Sequence, residues 1–297
     1  MRRPAIALTI LISAAAATAC APADDTTASS NPTSATVSGT ATPGCSKTDL
    51  KTRDAGRLTV GTDKPAYAPW FVDDEPSNGK GFESAVAYAV AKQLGYERAD
   101  VTWSVVSFNQ ATAPGPKTFD IDINQVSITD ARKKTVDFSS GYYDVAQSVV
   151  TTTRSKAAGA KTLADLKPLK LGTQVGTTSY TVATTSIAPT QKIAVFNSND
   201  DAKAALANGQ IDALVVDLPT GLFLSAVGAK DGGIDDGKLV GQLPAGSAPE
   251  QFGLVLDKGS ALTSCVSQAV DALRADGTLA GLQKQWLTDA AGAPSLT

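Results

Sequence analysis

The chain has 297 residues, 42% of them hydrophobic, 6% aromatic and 19% charged, with three Cys and no His. That length can bury a core for one large or two smaller domains, which excludes a disulfide-stapled miniprotein and a chain disordered throughout. A formal net charge of -3 with no basic cluster excludes nucleic acid as a partner, and the missing imidazole excludes Ser-His-Asp and Cys-His nucleophile pairs and histidine metal ligands.

Residues 1–19 read as a signal peptide. Arg2 and Arg3 form a charged head, Ile6 to Ala17 is an apolar stretch too short to span a bilayer, and Ala17-Thr18-Ala19 is a small-residue cleavage site before Cys20. A cysteine directly after the cut resembles a bacterial lipobox, which implies acylation of Cys20 and anchoring of the exported protein to the outer face of the cytoplasmic membrane. The alternative is ordinary cleavage with Cys20 incidental. Removing the signal takes away two Arg and leaves 24 basic against 29 acidic residues, a net of -5. Residues 20–44, rich in Ala, Thr, Ser and Pro, then serve as a lipidated flexible tether. With Cys20 acylated, two cysteines remain in an oxidising compartment. Their simplest use is a bridge from Cys45 to Cys265, with two separate buried thiols as the alternative.

From residue 56 the pattern alternates strand and helix. Arg57 to Thr62 sets Leu58 and Val60 on one face of a short strand, and Gly81 to Leu94 carries Phe82, Val86, Val90 and Leu94 at helical spacing before Gly95. Val101 to Phe108 is β-rich, and Phe119 to Asn124 alternates apolar residues with Asp120, Asp122 and Asn124. A central parallel strand is normally apolar on both faces, so these acids mark either a polar layer or the point where the strand emerges. Further on, Leu163 to Leu166 is a short helix, Lys170 to Gln174 a strand, and Thr177 starts another helix. Asn199 is the expected cap of a helix ending at Asn208-Gly209 before the strand Ile211 to Val216. Gln251 to Leu256 is a strand, and Ser260 to Ala275 and Thr278 to Leu287 are helices. The class is α/β, with too many units for one small sheet, so two lobes are expected.

In open α/β sheets ligands bind beyond the carboxyl ends of strands. The residues that follow the strands here are Asp63, Tyr67 and Trp70, then Asn124, Gln125, Ser127, Thr129 and Arg132. In the second half Gly176-Thr177-Thr178 opens a helix whose free amides suit an anion, and the strand through Val216 delivers Asp217. One arginine, one helix N-terminus, two aspartates and several aromatics are what a zwitterionic amino acid needs. Arg132 can fork onto the α-carboxylate, Asp217 can take the α-ammonium, and Tyr67, Trp70 or Phe108 can cover the side chain. Taken singly, each has a plainer reading: a solvated turn at Arg132-Lys133-Lys134, an ordinary cap at Thr177, a turn starter at Asp217, core at Tyr67 and Trp70.

These motifs resemble the extracellular solute-binding proteins of family 3, receptors of ABC importers for polar amino acids, across nearly all of residues 56–288. The match runs through Gly61-Thr62-Asp63, Tyr67-Ala68-Pro69-Trp70, Gly81-Phe82-Glu83, Ser127-Ile128-Thr129-Asp130-Ala131-Arg132, Val136-Asp137-Phe138-Ser139, Gly176-Thr177-Thr178, Gly209-Gln210-Ile211-Asp212-Ala213 with Asp217, and Asp276-Gly277-Thr278-Leu279. The resemblance implies a two-lobed periplasmic-binding-protein fold of type II, each lobe a mixed sheet flanked by helices, joined by two hinge strands. Residues 45–146 with 250–290 would form lobe 1 and 147–249 lobe 2, with crossings near Asp144 to Ser148 and Ala248 to Gly253. It implies a receptor that closes on its ligand, working as a monomer with a membrane permease and without cofactor or metal. Arg132, assisted by the Thr129 amide, would hold the α-carboxylate, Thr177 and Thr178 the helix start, Asp217 the ammonium, and Tyr67 and Phe108 the walls.

The chain departs from the family pattern in four places. Glu83 replaces the usual Asp, the loop from Asp63 to Tyr67 is one residue longer, and Ala113-Pro114-Gly115-Pro116 argues against the usual helix between Phe108 and Asp120. Asn124 and Gln125 replace small residues. Their amides favour a polar ligand side chain, while Asp63 equally suits a cationic one. Two other classes stay open: an enzyme that dehydrates cyclohexadienyl acids such as arogenate, tested by product formation, and a sensing lipoprotein without transport, tested by the absence of a neighbouring permease gene.

Overall fold

The computed structural model describes residues 44–245, 249–287 and 293–297; the signal peptide, Cys20 and the tether before Gly44 lie outside the described residues. In chain order, β1 (Leu58–Thr62), α1 (Phe82–Gln93), β2 (Val101–Val105), α2 (Phe108–Thr112), β3 (Ile121–Asp122) and β4 (Asp137–Val145) come first. A second run follows, of β5 (Gln147–Thr152), α3 (Leu163–Leu166), β6 (Leu171–Gln174), α4 (Thr178–Val182), β7 (Ala194–Phe196), α5 (Asn199–Ala207), β8 (Ala213–Asp217), α6 (Leu218–Ala226) and β9 (Gly237–Gln242). Then β10 (Glu250–Leu256), α7 (Thr263–Ala275) and α8 (Thr278–Trp286) return to the first group.

The strands form two five-stranded mixed sheets, in the orders β2-β1-β3-β10-β4 and β7-β6-β8-β5-β9. Each has parallel pairs from strand-helix-strand units and an antiparallel partner supplied where the chain passes between lobes. Period-two alternation divides the cores. On β10, Phe252, Leu254 and Leu256 face a core shared with α1 and α7, while Val255 joins Val106, Phe119 and Val136 on the opposite face. In the second sheet Val149 and Val215 pack on one side, and Val150, Leu214 and Val216 on the other. The bridge from Cys45 to Cys265 is present, with Cα atoms 5.4 Å apart, and ties the start of the described chain to α7.

Several elements differ from the sequence expectation. A helical turn, α2, does form before the Pro-Gly-Pro segment, because Ser107 and Gln110 make a reciprocal capping box and the Lys117 ammonium donates to the carbonyls of Gln110 and Ala113. The strand expected over 119–124 shrinks to two residues in β3. Asp120 stands just before β3; its amide still donates to Thr59 O on β1 at 2.9 Å, while its carboxylate accepts the backbone amides of Arg53 and Thr59 at 2.8 and 2.7 Å. Ser198, not Asn199, caps α5 by accepting the Asp201 amide. The final residues lie against the second sheet: Ser295 bridges Gln242 at the end of β9, and Leu296 is buried with Leu166 and Leu243.

Candidate functional site

The carboxyl ends of β1, β3, β6 and β8 converge on one cleft, lined by Asp63, Tyr67, Phe108, Asn124, Gln125, Ser127 and Arg132 from the first lobe and Thr177, Thr178 and Asp217 from the second. Two residues proposed from the sequence stand elsewhere. Trp70 is fully buried in the first core, stacked edge-on against Tyr143 and Phe252 at 5.6 Å, and its indole N–H donates to Thr220 Oγ1 at 3.0 Å. It is therefore a core anchor rather than a cleft wall. Thr129 lies outside the lining; its hydroxyl accepts the Arg132 amide at 3.2 Å and fixes the turn from which Arg132 projects.

Arg132 occupies the centre of the cleft. Its Nη1–H donates to Ser127 O at 2.6 Å and its Nη2–H crosses to Gly176 O in the second lobe at 2.8 Å, while the guanidinium lies 5.1 Å from the Phe108 ring centroid. Burial lowers its pKa, opposed by the charges of Glu250 and Asp217. Phe108 is held there because its amide, at the start of α2, donates to the Asp63 carboxylate at 3.2 Å. Desolvation raises the Asp63 pKa against that hydrogen bond and the one from the Lys64 amide.

The floor of the cleft rests on Glu83. Its carboxylate accepts the Gln125 amide at 2.7 Å, the Gln125 side-chain amide and the Tyr142 hydroxyl. These bonds hold Gln125 at φ +47, a left-handed conformation that a residue with a side chain adopts only when its surroundings enforce it. Burial pushes Glu83 up to about 7, and the three hydrogen bonds oppose that rise. The departure from Asp to Glu thus supplies the reach that connects α1 to the loop after β3. Next to Gln125, Asn124 is 7% exposed and its Nδ2 has no protein partner.

The side toward the hinge contains residues the sequence reading missed. Gln147, the first residue of β5, donates through Nε2 to Asp217 Oδ1 at 2.7 Å and to Glu250 Oε2 at 3.2 Å, and accepts from Ser179 Oγ at 2.7 Å. Glu250, the first residue of β10, accepts the hydroxyls of Ser127 and, at 2.5 Å, Thr178. Burial first, and the charge of Glu250 second, push Asp217 up to about 8. Both missed residues open the strands that carry the chain between lobes, so their positions were legible as crossings, but no motif marked their side chains. At the rim, Lys203 pairs with Asp200 at 2.6 Å and sits 5.1 Å over the Tyr67 ring. Burial raises the Tyr67 hydroxyl well above its ordinary value, with Asp200 adding to the effect. The lobes stand closed, leaving a cavity of about 50 Å³ between them.

The chain is similar in sequence and fold to known proteins. The chain is 29% identical over 241 residues to the L-cystine-binding protein TcyJ of Escherichia coli (strain K12), covering 80% of this chain and 84% of that one. It is 29% identical over 248 residues to the L-arginine-binding protein of Pseudomonas aeruginosa, covering 77% and 90%. Among solved structures, an ancestral arginine-binding protein bound to glutamine superposes with a TM-score of 0.64 at 30% identity, covering 77% of this chain and 97% of that one. These named relatives are binding proteins, they share the two-lobed fold, and the family model matches residues 58–289: the chain belongs to the bacterial extracellular solute-binding proteins, family 3.

Proposed function

We propose that the protein is the substrate-binding receptor of an ABC importer and captures an amino acid, or a similar zwitterion, between its lobes. Arg132, positioned by the Thr129 hydroxyl, takes the α-carboxylate, helped by the helix start at Thr177 and Thr178, and Asp217 takes the α-ammonium. Tyr67 and Phe108 wall the ligand side chain, and Asp63, Asn124, Gln125 and Ser127 face it. The observation that carries this reading is that a buried guanidinium from one lobe and a carboxyl from the other point into the same cleft, the charge pair a zwitterion requires. Relatives that bind cystine and arginine support it.

The cavity of about 50 Å³ has room for only a few water molecules, and in this reading loading parts the lobes around the crossings at 144–148 and 250–253 before they close again. In this reading lobe 1 comprises residues 45–146 with 250–290 and lobe 2 residues 147–249. The receptor acts as a monomer, has no catalytic residue, and is tethered through an acylated Cys20 to the outer face of the membrane, where it meets its permease. Intact-mass spectrometry of the membrane fraction tests the acylation, and incubation with prephenate or arogenate tests the absence of dehydratase activity.

The receptor reading is tested by a thermal-shift screen against the proteinogenic amino acids and their close analogues. A ligand at 100 times its Kd adds about 2.7 kcal/mol of stability, so a true ligand gives a clear rise in Tm. A panel with no shift rejects amino acids as the solute class.

A further inference from the structure

Gln147 and Glu250 stand where the chain passes between the sheets, and their side chains border the cleft through hydrogen bonds to its lining residues Asp217, Ser127 and Thr178. The Nε2 of Gln147 lies within hydrogen-bond distance of two carboxylates, Asp217 at 2.7 Å and Glu250 at 3.2 Å. The hinge side of the cleft therefore places two acids around a single nitrogen. Glu250 further draws in a hydroxyl from each lobe, Ser127 and Thr178, so its carboxylate is fixed at the plane where the lobes meet.

The charges of the cleft do not balance. In the free protein Asp63 and Glu250 stand against one cation, Arg132, whose guanidinium donates to backbone carbonyls and, among the described residues, forms no ion pair; Asp217 adds a further negative charge once a ligand ammonium draws off its proton. Lys203 at the rim is already matched by Asp200. A zwitterion with a neutral side chain brings no net charge and leaves this surplus in place. A ligand with one further cationic group reduces it, and in a desolvated cleft that difference is worth far more than in water. Burial first, and the Glu250 charge second, hold Asp217 up to about 8, so this carboxyl keeps its proton until a cationic group arrives beside it. The unpartnered Nδ2 of Asn124 is a donor and offers the ligand a place for an acceptor, separate from the acids that would meet a cation.

We propose that Glu250 is a specificity-determining residue of the cleft and that, with Asp217, it selects amino acids of net positive charge over neutral isosteres. This rests on the amino-acid-receptor reading above. Calorimetric titration of the full chain with arginine, lysine and ornithine, and with the neutral analogues citrulline and glutamine, tests it. The tightest cationic ligand is expected to bind at least about tenfold more strongly than the tightest neutral one, the effect of roughly 1.4 kcal/mol. Glu250→Gln is expected to remove most of that ratio, and Glu250→Asp, which keeps the charge, to retain it. Circular dichroism melting of each variant reports folding. Citrulline or glutamine binding as tightly as the cationic ligands, or a ratio unchanged in a folded Glu250→Gln variant, would overturn the inference while leaving the receptor reading intact. Failure of every amino acid to bind would overturn both.

Discussion

The hydroxyls of Ser127 and Thr178 stand 3.2 Å apart, one from the loop after β3 in the first lobe and the other at the first residue of α4 in the second. Two small polar side chains thus close the distance between two separately packed cores. Both hydroxyls also donate to the Glu250 carboxylate, so parting the lobes exchanges these bonds for water or ligand, whereas the cores on either side cannot shear without opening voids. Opening should therefore be a rotation of intact lobes, with the strained and charged residues gathered at the surface that separates.

Arg132→Ala and Asp217→Ala should each fold normally and each lose ligand binding. Both side chains project into the cleft and neither fills a hydrophobic core, so the cost falls on the bound state. Truncating one member of a desolvated charged pair typically costs about 2 to 5 kcal/mol, roughly 30-fold to several-thousand-fold in affinity. Titration calorimetry with the best ligand of the screen measures this, and wild-type affinity in either variant would reject the assigned role.

Stability should fall as pH rises across the neutral range. Burial holds Glu83 near 7 and Asp217 near 8, against ordinary values of 4.5 and 3.8. Below the ordinary values both states carry the protons, and neither group contributes a pH dependence. Between the ordinary and folded values, the unfolded chain has released protons that the native state still holds. Each group then lowers stability by up to about 1.4 kcal/mol per pH unit, and the loss levels off once pH passes the folded value. Scanning calorimetry of the ligand-free protein from about pH 5 to pH 8 should show a declining Tm, with a shallower decline in Glu83→Gln. A variant slope equal to wild type would contradict the assignment for Glu83.

Binding should release a proton. An ammonium placed beside Asp217 favours its charged form, so at neutral pH the carboxyl gives up the proton it holds in the free protein. Calorimetric binding enthalpies measured in two buffers of different ionisation enthalpy would then differ by a fraction of one proton per ligand. Identical enthalpies would place the ammonium elsewhere.

Much of this arrangement could be read from residue pattern, and the exceptions have physical causes. The strand-ending loops of Asp63, Arg132, Thr178 and Asp217 were legible because ligand-facing groups follow strands in α/β sheets. Trp70 sits in the core rather than the wall, and a Trp beside a cleft loop and a Trp beneath it look alike in sequence; its burial depends on Phe82, Tyr143 and Phe252, which arrive from distant segments. The Pro-Gly-Pro after α2 argues against a helix there, although Ser107 and Gln110 carry a capping signal. Glu250 was invisible for a different reason: its role exists only when two strands and two hydroxyls from separate lobes meet.

Reduction of the Cys45 to Cys265 bridge should destabilise the first lobe and spare the cleft. The bridge closes a span of 220 residues and joins the entry of the chain to α7, distant from the ligand-facing loops. Loss of a native disulfide costs about 2 to 5 kcal/mol. The paired variant Cys45→Ser with Cys265→Ser should melt several degrees below wild type and keep its ligand affinity near that of wild type at low temperature. An unchanged Tm would show that the bridge contributes nothing to the folded protein.

Deleting residues 293–297 should weaken the second lobe although these residues follow the last helix of the first. Gln242, the last residue of β9, donates its amide to Pro294 O at 2.7 Å and receives the Leu296 amide at 2.9 Å, so the segment covers a strand that would otherwise be a sheet edge. The Thr297 carbonyl also accepts the Leu163 amide at 3.0 Å at the start of α3. Leu296 is 2% exposed and packs with Leu166, Leu243 and Val240. Burying one Leu is worth about 1.5 to 3 kcal/mol, and the hydrogen bonds add about 0.5 to 1.5 kcal/mol each. Leu296→Ala alone should cost about 2 to 4 kcal/mol, and the five-residue deletion more, as read by chemical denaturation. Hydrogen exchange should place the loss of protection in β9 and α3, where the tail makes its hydrogen bonds, and leave β1 and β2 of the other sheet unchanged. Protection lost equally in both sheets would mean that the lobes unfold as one unit, and the tail would then act on the whole molecule.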